Sequence, residues 1–397
     1  MIETKFKLEK GYTIPEEWEV IPLHQTATVF GRIGFRGYTV ADLVPELQGA
    51  ISLSPSNIQN GIMDYSKLTY LSWAKYEESP EIKIYNGDIL FVKTGSTYGK
   101  SAYVENLPWP STINPQFVVF KKIKCNARVL SCLLTQKKFK EQIESITSGG
   151  AIPTMSQAKL MTCLIPLPTP TEQERIATAL SDIDDLISSM RKLIEKKKNI
   201  KQGVMQDLLS GKKRLKGFTE EWVDIHLRDF KPQKGTQINK NVLDTDSLGY
   251  PVMNGGISPS GYNSEYNSEA NTIIISEGGN SCGFVNFMKS RFWAGGHCYV
   301  LSISNDMNIE YIFQTLKFYE SQLMALRTGS GLPNIKKSAL YEFKILISPQ
   351  KKEQEAIAKV LSDMDAEIEH LESQLTKYEG IKQGMMQQLL TGKIRLI

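Results

Sequence analysis

Apolar residues recur at alternating spacings of four and three along Ile357, Leu361, Met364, Ile368, Leu371, Leu375 and Tyr378, and Ile381, Met385 and Leu389 continue the series. That spacing is the a/d seam of a coiled coil and predicts one long amphipathic helix. A matching series runs 181 residues earlier, through Ile176, Leu180, Ile183, Ile187, Met190, Ile194, Ile200, Val204 and Leu208, with Lys197 where the other has Tyr378. The two stretches are copies. Glu172 to Leu215 aligns without a gap on Glu353 to Leu396, opening on Glu-Gln-Glu and closing on Gln-x-Leu-Leu-x-Gly-Lys-x-Arg-Leu. A fixed self-similarity sets the architecture before any motif does, and two copies make a duplication, not a solenoid.

The helix ends are marked too. Gly211 and Gly392 follow the last seam leucines as C-terminal caps, with Lys and Arg beyond. Thr171 with Glu174 offers a capping box at the first start, and Ser348-Pro349 a cap and first turn at the second.

A helix of some 40 residues is about 60 Å long. The roughly 140 residues between the two helices form a globule under about 40 Å across. Such a globule bridges neighbouring ends more readily than it carries the chain back for a parallel partner, so an antiparallel pair is expected. Charge agrees: the first copy has ten basic and seven acidic residues, the second five and eight. Antiparallel pairing sets Arg191, Lys192, Lys196, Lys197 and Lys198 opposite Asp365, Glu367, Glu369 and Glu372, although such faces are often merely solvated.

The expected organisation is therefore a globule over 1–170, a helix over 171–215, a second globule over 216–352 and a second helix over 353–397. The globules are distant relatives of one another. Glu17-Trp18 with Leu23 is echoed by Glu221-Trp222 with Leu227, and Asp88 to Val92 followed by Thr94 to Gly99 by Thr272 to Ser276 followed by Gly278 to Gly283. Thr147 to Pro153 likewise parallels Thr328 to Pro333. Short β-branched and aromatic runs broken by Gly, Asn and Pro make the class α+β.

These residues resemble the specificity subunits of type I restriction-modification systems. The duplicated Ile-Lys-Gln-Gly-x-Met-Gln-x-Leu-Leu-x-Gly-Lys-x-Arg-Leu ending carries the resemblance, with Glu-Gln-x-x-Ile-Ala opening each helix and Gly31 to Thr39 in the first globule. The resemblance implies two target recognition domains, each reading half of a split double-stranded DNA sequence, and a helix pair that serves as spacer and docking surface. It implies two adenine methyltransferase (M) subunits binding S-adenosylmethionine and restriction/translocase (R) subunits binding ATP, with no cofactor in this chain. It makes the chain a non-catalytic, cytoplasmic scaffold. A coiled-coil adaptor without DNA specificity and a fused methyltransferase or nuclease are the alternatives.

A net charge of +4 is modest for a protein that holds DNA by charge alone, and suits one that clamps the duplex with partners. Five cysteines without a Cys-x-x-Cys pair and only four histidines read as reduced thiols with no metal site. Met-Ile-Glu-Thr-Lys-Phe-Lys is no signal peptide, and no apolar run spans a membrane.

Some stretches imitate catalysis. Thr94 to Ser101 nearly matches a P-loop, but Thr94 stands where the motif needs Gly, and Pro108 and Pro110 follow where it needs a helix. Asn114-Pro115-Gln116-Phe117 resembles the Asn-Pro-Pro-aromatic motif of amino-methyltransferases, with Gln116 in place of a proline and no glycine-rich cofactor loop. Glu81-Ile82-Lys83 with Asp64 is a nuclease-like spacing common by chance in so charged a chain. Arg or Lys suits guanine and Asn or Gln adenine. The candidate DNA-binding residues are Arg32, Arg36, Ser96, Thr97, Tyr98 and Lys100 in the first globule, and Lys234, Asn254, Asn280, Ser281 and Arg291 in the second. A solvated surface residue is the plainer alternative for each, and a place in the core for Tyr98, Trp73 and Trp293.

Overall fold

The computed structural model describes residues 4–147, 153–238, 249–329, 331 and 333–397. The fold is α+β, and the chain forms two compact units, Met1–Ser189 with Leu375–Ile397, and Met190–Gln374. The long helices run from Pro170 to Leu209 and from Lys351 to Leu389, so each lends one stretch to each unit.

In the first unit the central strand, Ile89–Val92, is buried at every position. Two cores explain its unbroken apolar run. Ile89 and Phe91 join Trp18, Val118 and Phe120, whereas Leu90 and Val92 join Ile51, Leu53, Ile113 and Val119. Successive side chains of a strand point to opposite faces, so a strand covered on both has no polar alternation. Ser101–Tyr103 and Phe117–Lys121 flank it antiparallel, and Thr28–Gly31 pairs beyond the latter. The second unit repeats this sheet: Thr272–Ser276 lies between Val285–Met288 and Cys298–Val300, with Gln233–Lys234 beyond. A parallel pair also recurs, Gly49–Leu53 with Ser111–Ile113 and Tyr250–Met253 with Trp293–Ala294.

Each main core captures the start of one helix and the end of the other. The first takes Ile176 and Leu180 with Leu389 and Leu390, and the second Ile357 and Leu361 with Leu208 and Leu209. In both units the helix stretches run antiparallel. Lys382 meets Asp184 at 2.6 Å in the first while Arg395 lies on Glu172. In the second, Lys201 meets Asp365 at 2.6 Å, Lys197 meets Glu367 at 2.6 Å and Lys198 meets Glu372 at 2.7 Å. Such half-exposed pairs are worth little each but set register.

Ile176, Leu180, Ile183, Ile187, Met190, Ile194, Leu208, Ile357, Leu361, Ile368 and Leu389 are buried, and Val204, Met364, Leu371, Leu375, Tyr378 and Met385 half-buried. Ile200 and Ile381 depart from the seam expected of them, being 44% and 41% exposed. The cause is geometric. At about 100° per residue, Ile200 stands roughly 120° away from Ile176 around a straight helix, while the next residue returns to within about 20°. The equivalent lysines, Lys201 and Lys382, take the inward place and meet the aspartates named above.

The duplicated ends form two equivalent clasps. Glu172 is 1% exposed; Arg395 donates to it from Nε (2.8 Å) and Nη2 (3.0 Å), and Trp18 from Nε1 (2.7 Å). Glu353 receives Arg214 Nε (2.6 Å) and Nη2 (2.8 Å) and Trp222 Nε1 (3.1 Å). The 181-residue offset turns Glu172 into Glu353 and Arg214 into Arg395. The neighbouring glutamines repeat as well: Gln173 accepts from Asn126 N and Gln354 from Asn308 N, both at 2.8 Å. Those asparagines cap the helices Ala127–Leu133 and Ile309–Phe318. Gly211 and Gly392 both have φ of +70°, and a Cβ on either would lie 3.5 Å from the clasp tryptophan. Each glycine thus serves the left-handed turn, and at Gly392 a Cβ would also clash with the Pro15 ring, 2.3 Å away.

Burial pushes the Glu353 carboxyl up, but hydrogen bonds from Arg214, Ser348 and Trp222 outweigh it and hold the group below its ordinary value. Its contribution to stability is full above the ordinary glutamate value of about 4.3 and is lost as pH falls through the lower folded value. Arg214→Met alone should cost about 3–5 kcal/mol, because it leaves a buried charge unpaired, and adding Glu353→Leu should recover most of that loss. Calorimetric unfolding of the single and double variants checks both.

Candidate nucleic-acid interface

A hairpin turn follows each central strand, and backbone hydrogen bonds give the two turns one frame. In the first, Val92 N donates to Lys100 O and Gly99 N back to Val92 O, while Tyr98 N reaches Gly95 O and Lys100 N reaches Thr97 O. Its flank is tied to distant segments: Gly95 N donates to Pro153 O, Lys93 N to Gln116 O and Met155 N to Lys93 O. Every one of these bonds recurs in the second unit. Ser276 N meets Phe284 O, Gly283 N meets Ser276 O, Cys282 N meets Gly279 O and Phe284 N meets Ser281 O; Gly279 N meets Pro333 O, Glu277 N meets His297 O and Ile335 N meets Glu277 O. Gly95, Gly99, Gly279 and Gly283 hold the left-handed φ values, between +76° and +100°, that shape the turns. Of the expected parallel loops, 148–152, 330 and 332 lie outside the described residues.

The look-alike motifs have local structural roles in this frame. The P-loop-like stretch ends in the strand Ser101–Tyr103, with no helix to turn its dipole on a phosphate. Asn114 makes a turn into Phe117–Lys121, its Oδ1 accepting from Gln116 N at 3.0 Å and its Nδ2 donating to Gln116 Oε1 at 3.0 Å.

Of the expected readers, Ser96 and Lys100 are exposed on the first turn, Thr97 is half-buried, and Tyr98 packs against the first core. Asn280 is exposed on the second turn, and Ser281 donates to Gly255 O. Asn254 accepts from His297 N at 3.4 Å, and Lys234 Nζ lies 2.8 Å from Glu277, so Lys234, Asn254 and Ser281 gather beside this turn. Arg291 is engaged with Glu269 at 2.9 Å and lies over the Tyr266 ring. Arg36 is 3.5 Å from Glu81. Arg32 is a structural residue instead, since it is 5% exposed and donates to Ile113 O, Thr112 Oγ1 and Arg36 O, tying its loop to the strand Ser111–Ile113. Burial draws its pKa down. Trp73 is 41% exposed, not core, and Trp293 is half-buried with Nε1 on Thr236 O.

Four residues at the turn bases were not among the expected DNA-binding residues: Lys93, Gln116, Glu277 and His297. Glu277 gathers the second set, accepting from Tyr299 OH at 3.1 Å and standing 3.7 Å from His297 Nδ1. Burial, with Glu277 beside it, pushes the Tyr299 hydroxyl up. The echo of Asp88–Val92 in Thr272–Ser276 held the one usable signal, since it places Lys93 opposite Glu277.

Among the described residues no helix is long and apolar enough to cross a membrane. A family model for the type I restriction modification DNA specificity domain matches residues 34–199 and 219–377. The chain is similar to the putative type I restriction enzyme MjaX specificity subunit of Methanocaldococcus jannaschii, at 27% identity over 99% of this chain and 97% of that protein. It is also similar to the MjaVIII specificity subunit of the same organism, at 25% identity over the same shares. In fold it is similar to the crystal structure of the type I restriction-modification S subunit from M. genitalium, with a TM-score of 0.64 and 18% identity over 98% of this chain and 99% of that one.

The two turns should respond differently to the same change. At Gly99 (φ +82°) an added Cβ meets nothing within 4 Å, so Gly99→Ala should cost only the left-handed backbone strain, about 1–2 kcal/mol. At Gly283 (φ +88°) the Cβ would come within 2.7 Å of the Met324 backbone, so Gly283→Ala should cost clearly more. Urea unfolding of both variants measures the difference.

Proposed function

The chain belongs to the type I restriction-modification DNA specificity family, and on that premise we propose that its two globular domains read the two halves of a split, asymmetric DNA target. The observation that carries this is the shared turn frame. Seven equivalent backbone bonds hold a hairpin turn in each unit, yet the side chains offered there differ: Ser96, Thr97 and Lys100 in one, Asn280, Ser281 and Phe284 in the other. Backbone bonds carry no sequence preference, whereas polar side chains on turns discriminate base edges by about 1–3 kcal/mol each. A common frame with different side chains suits two readers of different half-sites.

The long helices act as the spacer and as the docking surface for two adenine methyltransferase subunits, with restriction/translocase subunits joining the assembly. Half-sites one turn of B-DNA apart are about 34 Å centre to centre, within reach of helices about 60 Å long. The chain itself performs no chemistry. S-adenosylmethionine and ATP belong to the partners, and the domains 1–170 and 216–352 act as readers flanking the helices 171–215 and 353–397. Phosphate contacts position the duplex and base contacts specify it, so a net charge of +4 fits a reader that shares the clamp with partners.

Expression with a cognate adenine methyltransferase subunit in a methylation-free host, followed by genome-wide mapping of modified adenines, tests the reading. A split motif should be methylated when both chains are present and by neither alone. Methylation by this chain alone would make it an enzyme, and an assembled, active pair without sequence preference would make it an adaptor.

A further inference from the structure

The bases of the two turns carry opposite charges in one backbone position. Lys93 and Glu277 each donate N–H to the strand-leading residue beside them, Gln116 O and His297 O, both at 2.8 Å. Each also accepts at its carbonyl from the loop residue after the proline turn, Met155 or Ile335. In the second unit the acid is 12% exposed and satisfied by Lys234, Tyr299 and, at 3.7 Å, His297. By strand register the counterparts of Lys234 and Tyr299 in the first unit are Gly31 and Val118, which bring no polar side chain.

Lys93 is left with a half-buried ammonium that meets no acceptor or carboxylate among the described residues. Burial holds its pKa down. A desolvated cation without a partner costs free energy, which an acceptor arriving with a ligand would restore. Gln116, whose backbone carbonyl accepts from Lys93 N, adds a second donor at the turn base. Its Oε1 is occupied by Asn114, and its Nε2 lies against Gly95, where an added Cβ would stand 3.0 Å away. The base of the first turn therefore offers donors and no free side-chain acceptor from this pair. In the major groove guanine presents two acceptors, N7 and O6, whereas adenine presents one acceptor and one donor.

Resting on the function proposed above, we infer that Lys93, with Gln116 beside it, reads the acceptor edge of a guanine in the half-site taken by the first domain.

The test uses the full chain with its methyltransferase partner and compares wild type, Lys93→Met and Lys93→Arg by adenine-methylation mapping and by DNA binding across a salt series. The wild-type first half-site should contain a G·C pair at which Lys93→Met loses roughly 5- to 150-fold discrimination, with the second half unchanged. Lys93→Arg should keep the preference, and Lys93→Met should unfold at a temperature no lower than wild type, since it removes a half-buried charge that meets no partner among the described residues. Uniform weakening over all sequences, with the salt slope reduced by about one, would make Lys93 a phosphate contact and overturn the inference. An unchanged motif, or a first half-site without a G·C pair, would overturn it and leave the parent reading standing. A wild-type complex without any split motif would overturn the parent reading itself.

Discussion

A carboxylate removed from water demands a cation, and in this protein each buried glutamate obtains it from the other copy of the repeat. Glu172, at the start of the first helix, is closed by Arg395, beyond the end of the second, and Glu353 by Arg214, beyond the end of the first. Neither copy completes its own clasp. The tryptophan that donates to each glutamate comes from the globule, so one polar cluster ties helix start, helix end and globule core. Removing either charge strands the other in a low-dielectric site, which makes these contacts far more consequential than the exposed lysine–glutamate pairs between the helices.

The clasps explain why the helix copies look alike and the globules do not. Glu, Gln and Arg make the same side-chain contacts in both copies, and the C-terminal Gly takes the same left-handed turn. The turns rest instead on backbone N–H and C=O groups, which any residue but proline supplies. Side chains there vary without disturbing the frame, as Lys93 against Glu277 and Lys100 against Phe284 illustrate. Structural demand falls on the helix ends, and freedom to change falls where a DNA sequence would be read.

Much of this was legible in the amino-acid order because it is local and periodic. The helix pair, its antiparallel sense and the α+β class followed from spacing, loop length and duplication. The seam failed at Ile200 and Ile381 because each stands three residues after the preceding seam position, where the alternation of four and three needs a step of four, and the step of four lands on Lys201 and Lys382. Arg32 looked like a reader because arginine suits guanine. Its burial depends on the strand Ser111–Ile113, some eighty residues away in the chain. Lys93, Gln116, Glu277 and His297 are joined by bonds between distant segments, which no spacing along the chain displays.

On the proposed function, one frame carries two independent readers. Exchanging residues 223–347 for the matching segment of a family member with a known split target keeps both clasps, Trp222 included, and methylated adenines are then mapped with the same methyltransferase partner. One half of the motif should become that of the donor while the other half and the spacing stay unchanged. Alteration of both halves by an assembled, active complex would contradict that reading.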